Sequence, residues 1–504
     1  MAHTSFDMQA FHAQIDDALK KHFPPSSPPT LPHPSALARA AASLPKASDA
    51  LLKPLGVSAT TTHLLDDIVP ALSGQALSPR YYGFVTGSVH PVAQAAEAVV
   101  AALDQNVQVH LPDQTIATDV EASALDLLAD LLGLSHPQTG APRGIFTGRT
   151  FTTGATGSNI LGLACAREHV LARRVPPGSP SVGELGILGA CVAAGVTNIQ
   201  VLTSMGHSSL SKAASVVGLG RASVKQMAKS PERPWLLDVD AVERELVARD
   251  GTGVATIIAV TFGIFAAALA PGTVFDKLRE RVSGVHLADS IAVDGHKLLN
   301  VVRRDFCPWS RLIHIIGVYS ADNPLKPYDC GMFFTRSLPT LTNVFTNPNA
   351  AYLASSAGAP IPSPLNVGLE NSRRFRALPA YAVLRSEGRK GMAAMLGRMV
   401  ELARRIACFV RDSEHYDWLP DGEADVDDTH IIVLLRAKNL ALNDELVARI
   451  NETRDMYVSG TSWGGRKAVR VAIGSWRVDV ERDFAVVEAI LSAVAEGRPY
   501  AAAV

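Results

Sequence analysis

The sequence lacks several features that define whole classes of protein. Its 504 residues carry 47 basic and 48 acidic side chains, a formal net charge of −1, so no overall field attracts nucleic acid or an anionic membrane. The five cysteines are odd in number, widely spaced and without a CxxC or metal-ligand spacing, which predicts free thiols, no metal site and a cytoplasmic location. The N-terminal residues have no basic patch followed by an apolar run, so export is not expected. A small molecule is the expected partner.

One uncharged stretch resembles a membrane span in length. It runs for 24 residues from Thr252 to Phe275. Gly263 and Pro271 make it a poor continuous helix, and its first part is rich in β-branched residues. We therefore interpret it as a buried parallel strand followed by a second core segment, with no membrane partner.

Hydrophobic periodicity predicts an α/β fold with a mainly parallel central sheet and helices on both faces. Helical patterns, such as Ser158 to Arg174, alternate with short apolar or β-branched runs, such as Ile199 to Thr203 and Ala255 to Val260. After Arg373 the pattern changes to a long helix, separated strands and a closing helix. We expect three parts: an N-terminal helical segment with a Pro/Ser-rich linker (1–77), a large domain (78–372) and a smaller C-terminal α+β domain (373–504).

Three short motifs could carry chemistry. Residues Thr152 to Asn159, TTGATGSN, form a turn before a helix, where backbone N–H groups bind an anion or the turn is simply a capped helix start. Lys297 ends the motif VDGHK after an apolar run, where open α/β sheets bind their ligands, although a lone lysine is more often a solvated loop residue. His207 lies between a strand and a helix, either against a flat cofactor or as a structural histidine. Together, the three motifs meet the needs of a pyridoxal phosphate site.

From about Ser78 to Trp476 the chain resembles the group II pyridoxal-phosphate-dependent decarboxylases, the family of the glutamate and aromatic amino acid enzymes. The resemblance is carried by eight stretches in the same order, namely SPRYYGFVTGSVHPVA, TTGATGSNILGLACAR, VLTSMGHSSLSKAASVVGLG, LADSIAVDGHKLLNV, YDCGMFF, NPNAAYL, ENSRRFRALP and SGTSWGGRKAVRVAIGSWR. It implies a fold-type-I enzyme that decarboxylates an L-amino acid. Other pyridoxal phosphate chemistry on this fold, such as oxidative deamination or a lyase reaction, remains an alternative.

The resemblance also assigns the cofactor site. Lys297 would form the Schiff base with pyridoxal phosphate, and His207 would stack on its ring. Ala155 and Thr156 would bind the phosphate. Asp294 and His296 would lie near it.

A second group of residues is assigned to the substrate. Tyr82, Phe84 and Thr86 would line the substrate pocket, which in this family often lies across the interface of a homodimer. The amino acid itself is left open, since neither Arg373 nor Arg374 can be assigned to a distal carboxylate.

The sequence departs from the family at two places that concern the sheet. Counting back from Phe262 places Ala259 where the family has the carboxylate for the pyridine nitrogen. However, Ala255 to Thr261 better resembles the family's preceding strand, so the comparison predicts that a loop, a helix and most of a strand are missing between Thr261 and Phe262. The continuous family motif LNVPYDCG is split here by residues 302–326, whose pattern we assign to no helix or strand. Every Val codon begins with GT and a Lys codon can end with AG, so residues 302–326 have the ends of a retained intron. We expect this error in the gene model together with a skipped coding segment near Thr261. An inactive product of such a gene model is another alternative.

A third departure is in the loop before SRRFR. The aromatic enzymes have a catalytic Tyr there, whereas Leu353 to Ser372 contains none. The Pro-rich composition predicts a more rigid loop.

Overall fold

The computed structural model describes residues 7–24, 28–46, 54–134, 144–231, 233–294, 313–319, 329–347, 361–419 and 425–501. Its α-helices are α1 (Met8–His22), α2 (Pro34–Ser43), α3 (Val57–Thr62), α4 (Pro91–Ala102), α5 (Ala117–Leu131), α6 (Ala155–Ala172), α7 (Val182–Ala193), α8 (Ser208–Val216), α9 (Val239–Arg249), α10 (Asp276–Glu280), α11 (Leu338–Phe345), α12 (Ala377–Asp412), α13 (Leu440–Glu452) and α14 (Val480–Glu496). Its strands are β1 (Tyr81–Tyr82), β2 (Gly148–Thr152), β3 (Asn198–Thr203), β4 (Val224–Gln226), β5 (Val254–Phe262), β6 (Ser290–Asp294), β7 (Ile313–Tyr319), β8 (Gly331–Thr335), β9 (Tyr416–Leu419), β10 (Ile432–Ala437), β11 (Tyr457–Trp463) and β12 (Arg466–Ala472).

The chain forms two compact units. The larger contains residues 89–400 and 421–432, and the smaller contains residues 1–88, 401–420 and 433–504. One boundary between the two units therefore falls within the long helix α12, between residues 400 and 401. We predicted a domain boundary before this helix, at 372/373. The N-terminal segment expected as a separate part groups with the C-terminal one.

A seven-stranded sheet with the order β2-β8-β6-β7-β5-β3-β4 forms the centre of the larger unit. β3 pairs in parallel with β4 and β5, and β7 pairs in parallel with β5 and β6. β8 runs antiparallel to both β2 and β6. All strands except β8 therefore point the same way, and their carboxyl ends meet at one edge, which confirms the expected α/β class with a mainly parallel sheet.

Both faces of the sheet are covered around β3 and β5. On one face Val201, Ile257 and Ala259 belong to a buried cluster that includes residues of α6, α7 and α8. On the other face Leu202 and Ile258 pack in a second cluster with residues of α9. Because successive side chains of a strand point to opposite faces, continuous apolar runs are what a strand covered on both sides requires.

The position of β7 corrects our interpretation of residues 302–326. We assigned this segment to no helix or strand, yet Ile313–Tyr319 lies in the middle of the sheet. Its pairing with β5 extends from Thr256 with Ile313 to Phe262 with Tyr319. On its other side β7 pairs with β6, which precedes it in the chain. The strand that we expected to be missing between β5 and β6 is therefore replaced, out of chain order, by part of the supposed insert.

The uncharged stretch from Thr252 is interpreted correctly as a buried strand followed by a core segment. Val254–Phe262 is β5, and Ile264–Ala268 is a short 3₁₀ helix with the buried side chains of Ile264, Phe265, Ala266 and Ala268. Among the described residues, no helix combines the length and the apolar character needed to span a membrane.

Four cysteines fall within the described ranges, and each is a free thiol. They are Cys165, Cys191, Cys330 and Cys408. Burial raises the pKa of the Cys165 thiol, so it is protonated and unreactive at neutral pH. Cys307 lies outside the described residues.

The smaller unit contains a five-stranded sheet with the order β1-β11-β12-β10-β9. Gly464 and Gly465 connect β11 and β12 with positive φ angles of 55° and 74°, as a two-residue hairpin turn requires. A buried ion pair of 3.0 Å between Arg80 Nη1 and Asp483 Oδ1 joins the segment before β1 to α14. The short N-terminal strand is thus fixed within the C-terminal part of the chain.

Candidate active site

The N-terminus of α6 lies at the carboxyl edge of the large sheet, directly after β2. Gly154 is the N-cap residue with φ 142°, and no side chain caps the helix. Ala155 and Thr156, the expected phosphate ligands, are therefore the first two residues of the helix. Their N–H groups have no acceptor within the helix, and the helix dipole favours an anion there. The sequence prediction of an anion site is consistent with this geometry.

The hydroxyl of Ser158 fixes this turn to three strands. Ser158 Oγ lies 2.7 Å from Thr152 Oγ1 and donates to the carbonyl of Met332 at 3.0 Å. The same oxygen lies 3.5 Å from the carbonyl of Val293. Ser158 is fully buried, so the first turn of α6 is held firmly against β2, β8 and β6.

The three strand ends are in register beside the turn. Asp294 of β6 pairs with Gly331 of β8, which pairs in turn with Thr152 of β2. A Cβ atom at Gly331 would come within 2.7 Å of Gly154 Cα and 2.6 Å of Thr152 Oγ1, so only glycine fits. The turn and Asp294, assigned to one site from the sequence, are therefore brought together.

Asp294 is completely buried at the end of β6. His296 and Lys297 follow it after Gly295 in the chain and lie outside the described residues. Because Asp294 ends a parallel strand beside the N-terminus of α6, the chain leaves the sheet at the edge where α/β proteins bind ligands.

His207 is the N-cap residue of α8. Its Nδ1 accepts a hydrogen bond of 3.2 Å from the backbone N–H of Ser209 and lies 2.6 Å from the Ser209 hydroxyl. The side chain is half-buried. A histidine held through Nδ1 has a fixed ring, as a residue that stacks on a flat cofactor needs.

Two threonines at the same edge were missed in the sequence. Thr203 ends β3 and Thr261 lies near the end of β5, and their buried hydroxyls have no hydrogen-bond partner in the described part of the chain. By strand alternation they share the face of Val201 and Ala259, which is the face covered by α6. Unsatisfied buried hydroxyls are expensive unless a ligand or water completes them. The signal in the sequence was a threonine ending each of two apolar strands.

No carboxylate is provided by the strands where the family has one. Neither β5 nor β7 contains an acidic residue. Ala259, at the position counted back from Phe262, is fully buried within the cluster around α6. The uncapped N-terminus of α6 fits the phosphate of pyridoxal phosphate. In contrast, β5 and β7 place no carboxylate beside the ring nitrogen.

The three residues assigned to the substrate pocket lie in the smaller unit and differ in exposure. Tyr82 is completely buried, and burial raises the pKa of its phenol well above the usual value. Thr86 is 4% exposed, whereas Phe84 is 61% exposed. Phe84 and Val85 have φ angles of 60° and 76°, which costs non-glycine residues free energy and often marks functional turns. Of these three residues, only Phe84 is mostly exposed.

The arginines of the motif SRRFR all pair with carboxylates of the larger unit. Arg373 binds Glu121, and Arg374 binds Glu97. Arg376 binds Asp329 at 2.9 Å and Glu370 at 3.2 Å. Since these side chains are already paired, none is assigned to a distal carboxylate of a substrate, in agreement with the sequence analysis.

Comparison with solved structures defines the class of fold. The crystal structure of Oryza sativa TDC with PLP and tryptamine superposes with a TM-score of 0.71 at 21% identity, covering 99% of this chain and 100% of the other. The chain therefore has the fold-type-I architecture of pyridoxal-phosphate-dependent transferases.

Sequence comparison narrows the class, although no family model matches the chain. Tryptophan decarboxylase 1 of Oryza sativa subsp. japonica is 26% identical over 444 residues, 82% of this chain and 80% of the relative. L-2,4-diaminobutyrate decarboxylase of Acinetobacter baumannii is 25% identical over 375 residues, covering 71% and 69%. The resemblance to the group II pyridoxal-phosphate-dependent amino acid decarboxylases is confirmed.

Proposed function

We propose that the protein is a pyridoxal-phosphate-dependent decarboxylase of an L-amino acid. The observation that carries the proposal is that the uncapped N-terminus of α6 and the buried Asp294 at the end of β6 lie at one sheet edge, shortly before His296 and Lys297 in the chain. The relatives named above are decarboxylases of different amino acids, so the proposal specifies the reaction and leaves the side chain of the substrate open.

The residues of this chain divide the work of holding the cofactor. The N–H groups of Ala155 and Thr156 would bind the phosphate, His207 would face the ring and Lys297 would provide the amine for covalent attachment. Bound pyridoxal phosphate supplies an electron sink for the loss of the α-carboxylate. The buried hydroxyls of Thr203 and Thr261 add hydrogen-bond donors on the face covered by α6.

Chemical trapping tests the proposal. Reduction of the cofactor-loaded protein with borohydride should label the peptide that contains Lys297, and Lys297→Ala should abolish both the label and the absorbance of the bound cofactor. Lys390→Ala, which removes an exposed lysine of α12, is the matched control and should change neither. A protein that stays colourless at saturating cofactor contradicts the proposal.

The reaction itself is tested by its products. Incubation with a panel of L-amino acids should release carbon dioxide and the corresponding amine in equal amounts. Hydrogen peroxide and ammonia are measured in the same samples. Their appearance in place of the amine would show oxidative deamination and overturn the decarboxylase assignment.

A homodimer is part of the proposal. The N-terminal segment of the smaller unit exposes several large apolar side chains, as expected of a surface that a second subunit covers. The most exposed are Leu44, Leu55, Val57, Leu72 and Phe84, at 52%, 65%, 57%, 54% and 61%. Light scattering should give twice the mass of the 53.4 kDa chain, and a monomer would contradict this part.

A cytoplasmic location completes the proposal. It is supported by the free thiols of the four described cysteines. Cell fractionation tests it: the protein should be found with cytoplasmic markers, and recovery in an exported or membrane fraction would contradict it.

A further inference from the structure

A buried hydrogen-bond chain links the helix of the anion site to His207. Asn159, one turn into α6, is fully buried, and its Nδ2 donates to Ser209 Oγ at 2.9 Å. Ser209 Oγ lies 2.6 Å from His207 Nδ1, and the backbone N–H of Ser209 donates to the same nitrogen at 3.2 Å. Three side chains from two helix starts thus form one continuous chain.

The positions of the protons in this hydrogen-bond chain follow from the backbone N–H of Ser209, which can only donate. Nδ1 of His207 must therefore be an acceptor. The Ser209 hydroxyl, in contact with the same nitrogen, must then donate its single proton to it. That hydroxyl can only accept from the third partner, so Asn159 must offer N–H, as observed.

We infer that Asn159 is a positioning residue that acts through Ser209 to hold His207 neutral, with its proton on Nε2 and its ring fixed relative to the N-terminus of α6. The inference rests on the proposed function, in which the phosphate and the ring of one bound molecule contact α6 and His207. Because Asn159 and the anion-binding N–H groups belong to the same helix, α6 sets the distance between the two contacts.

The chemical identity of Asn159 matters more than its size. Asn159→Asp preserves the shape but introduces a carboxylate, which can only accept. The Ser209 hydroxyl would then turn its proton towards the carboxylate and leave Nδ1 with the weaker backbone donor alone. The nearby negative charge also favours the imidazolium form of His207.

Nitrogen NMR of the cofactor-free protein, labelled with [15N]histidine, tests the inference directly. The signal of His207 is assigned by its loss in His207→Gln. At about pH 8, where an ordinary histidine is neutral, the unmodified protein should show the Nε2–H form. Asn159→Asp should convert the signal to the imidazolium or to a mixture of forms. Asn443→Asp changes another buried asparagine, in the smaller unit, and should leave His207 unchanged.

The role of Ser209 is tested by a double-mutant cycle. Ser209→Thr retains a hydroxyl and should preserve the His207 signal in the Asn159 background. Ser209→Ala removes the hydroxyl. Asn159→Asp should then change the His207 signal much less in the Ser209→Ala protein than in the unmodified protein. If the effects of the two substitutions on the His207 signal are fully additive, Asn159 acts without Ser209 and the inference is overturned.

Cofactor binding separates this inference from the proposed function. Asn159→Asp should weaken pyridoxal phosphate binding by about tenfold, because the ring contact is misplaced. If the unmodified protein binds no cofactor but the NMR results hold, the proposed function fails and the hydrogen-bond chain stands. If cofactor binds and the His207 signal is the same in every variant, the positioning role of Asn159 is wrong.

Discussion

The half of the large sheet formed by β4, β3 and β5 and the half formed by β2, β8, β6 and β7 differ in how the chain builds them. In the first half each strand runs parallel to its neighbour, and the side chains alternate between two buried clusters. In the second half β7 lies between β5 and β6 although it follows both in the chain, and β8 returns antiparallel on the far side of β6. The same architecture therefore results from local pattern in one half and from long-range pairing in the other.

The two halves of the large sheet also differ in what they contribute to the proposed site. In the proposed function, the first half leads through β3 to His207 at the start of α8, which is the contact for the cofactor ring. The second half leads through β2 to the N-terminus of α6, the proposed phosphate contact, and its β6 ends with the buried Asp294 before Lys297. Its β7 contains no acidic residue. We expect the loss of β7 from the second half to affect folding more than a single substitution in either half.

The largest effect is expected from removing β7. Deletion of residues 302–326 exposes the pairing edges of both β5 and β6, so we expect no soluble folded protein. Ile316→Pro should act similarly by removing one N–H from the middle of the ladder, at a cost of about 3 kcal/mol or more. Ile316→Val is the control and should fold normally by circular dichroism. A deletion variant that is more stable than the full chain would show that the segment is foreign to the fold.

A carboxylate introduced at Ala259 should destabilise the protein rather than complete the site. Ala259 is fully buried among apolar side chains, so Ala259→Asp should lower the free energy of unfolding by about 3 kcal/mol or more. Ala270→Asp, at an exposed position, should have little effect in the same urea titration. A gain of decarboxylase activity in Ala259→Asp would instead place this position next to the ring nitrogen.

Gly331→Ala tests the close contact between β8 and the turn that begins α6. The added methyl would contact Gly154 Cα and Thr152 Oγ1, so we expect a loss of about 1–3 kcal/mol in stability and weaker cofactor binding. Gly183→Ala in α7 meets nothing closer than 3.5 Å and should be neutral or slightly stabilising. Equal stability of the two variants would contradict the close approach of β8 to the turn.

The smallest effect concerns a buried charge on α6. Burial raises the pKa of Glu168, whose carboxylate accepts hydrogen bonds from the Val182 N–H and from Asn343 Nδ2. Because the folded protein holds the proton more tightly than the unfolded chain, stability from this group is present at low pH and is lost as the pH rises above the ordinary glutamate value. Urea unfolding at about pH 4 and about pH 7 should show this loss in the unmodified protein and a smaller one in Glu168→Gln. Identical pH profiles would contradict the assignment.

Most elements of the first half could be predicted from the sequence, because their apolar runs are continuous and close to their neighbours in the chain. Ile199 to Thr203 and Ala255 to Val260 were expected as strands and are found in β3 and β5. The helix expected from Ser158 to Arg174 is α6, which begins at Ala155. Its start was misplaced because Gly154 caps the helix without a side chain, which leaves little signal in the sequence.

The position of β7 could not be predicted from local pattern. Ile313–Tyr319 contains β-branched residues, but its neighbours β5 and β6 are selected by pairing across the sheet. The comparison with the family's strand order made the segment look foreign. The unsatisfied hydroxyls of Thr203 and Thr261 were missed for a related reason, since a single threonine at the end of a strand is common.

The late arrival of β7 has a consequence for synthesis on the ribosome. Fifty residues separate Phe262 from Ile313, so at ordinary translation speeds the nascent chain carries β5 without its final neighbour for roughly three to ten seconds. Within that interval β6 is also made, so it is available for pairing before β7 is. Correct assembly therefore requires the edges of β5 and β6 to stay unpaired until β7 is made, so the sheet is completed only late in synthesis.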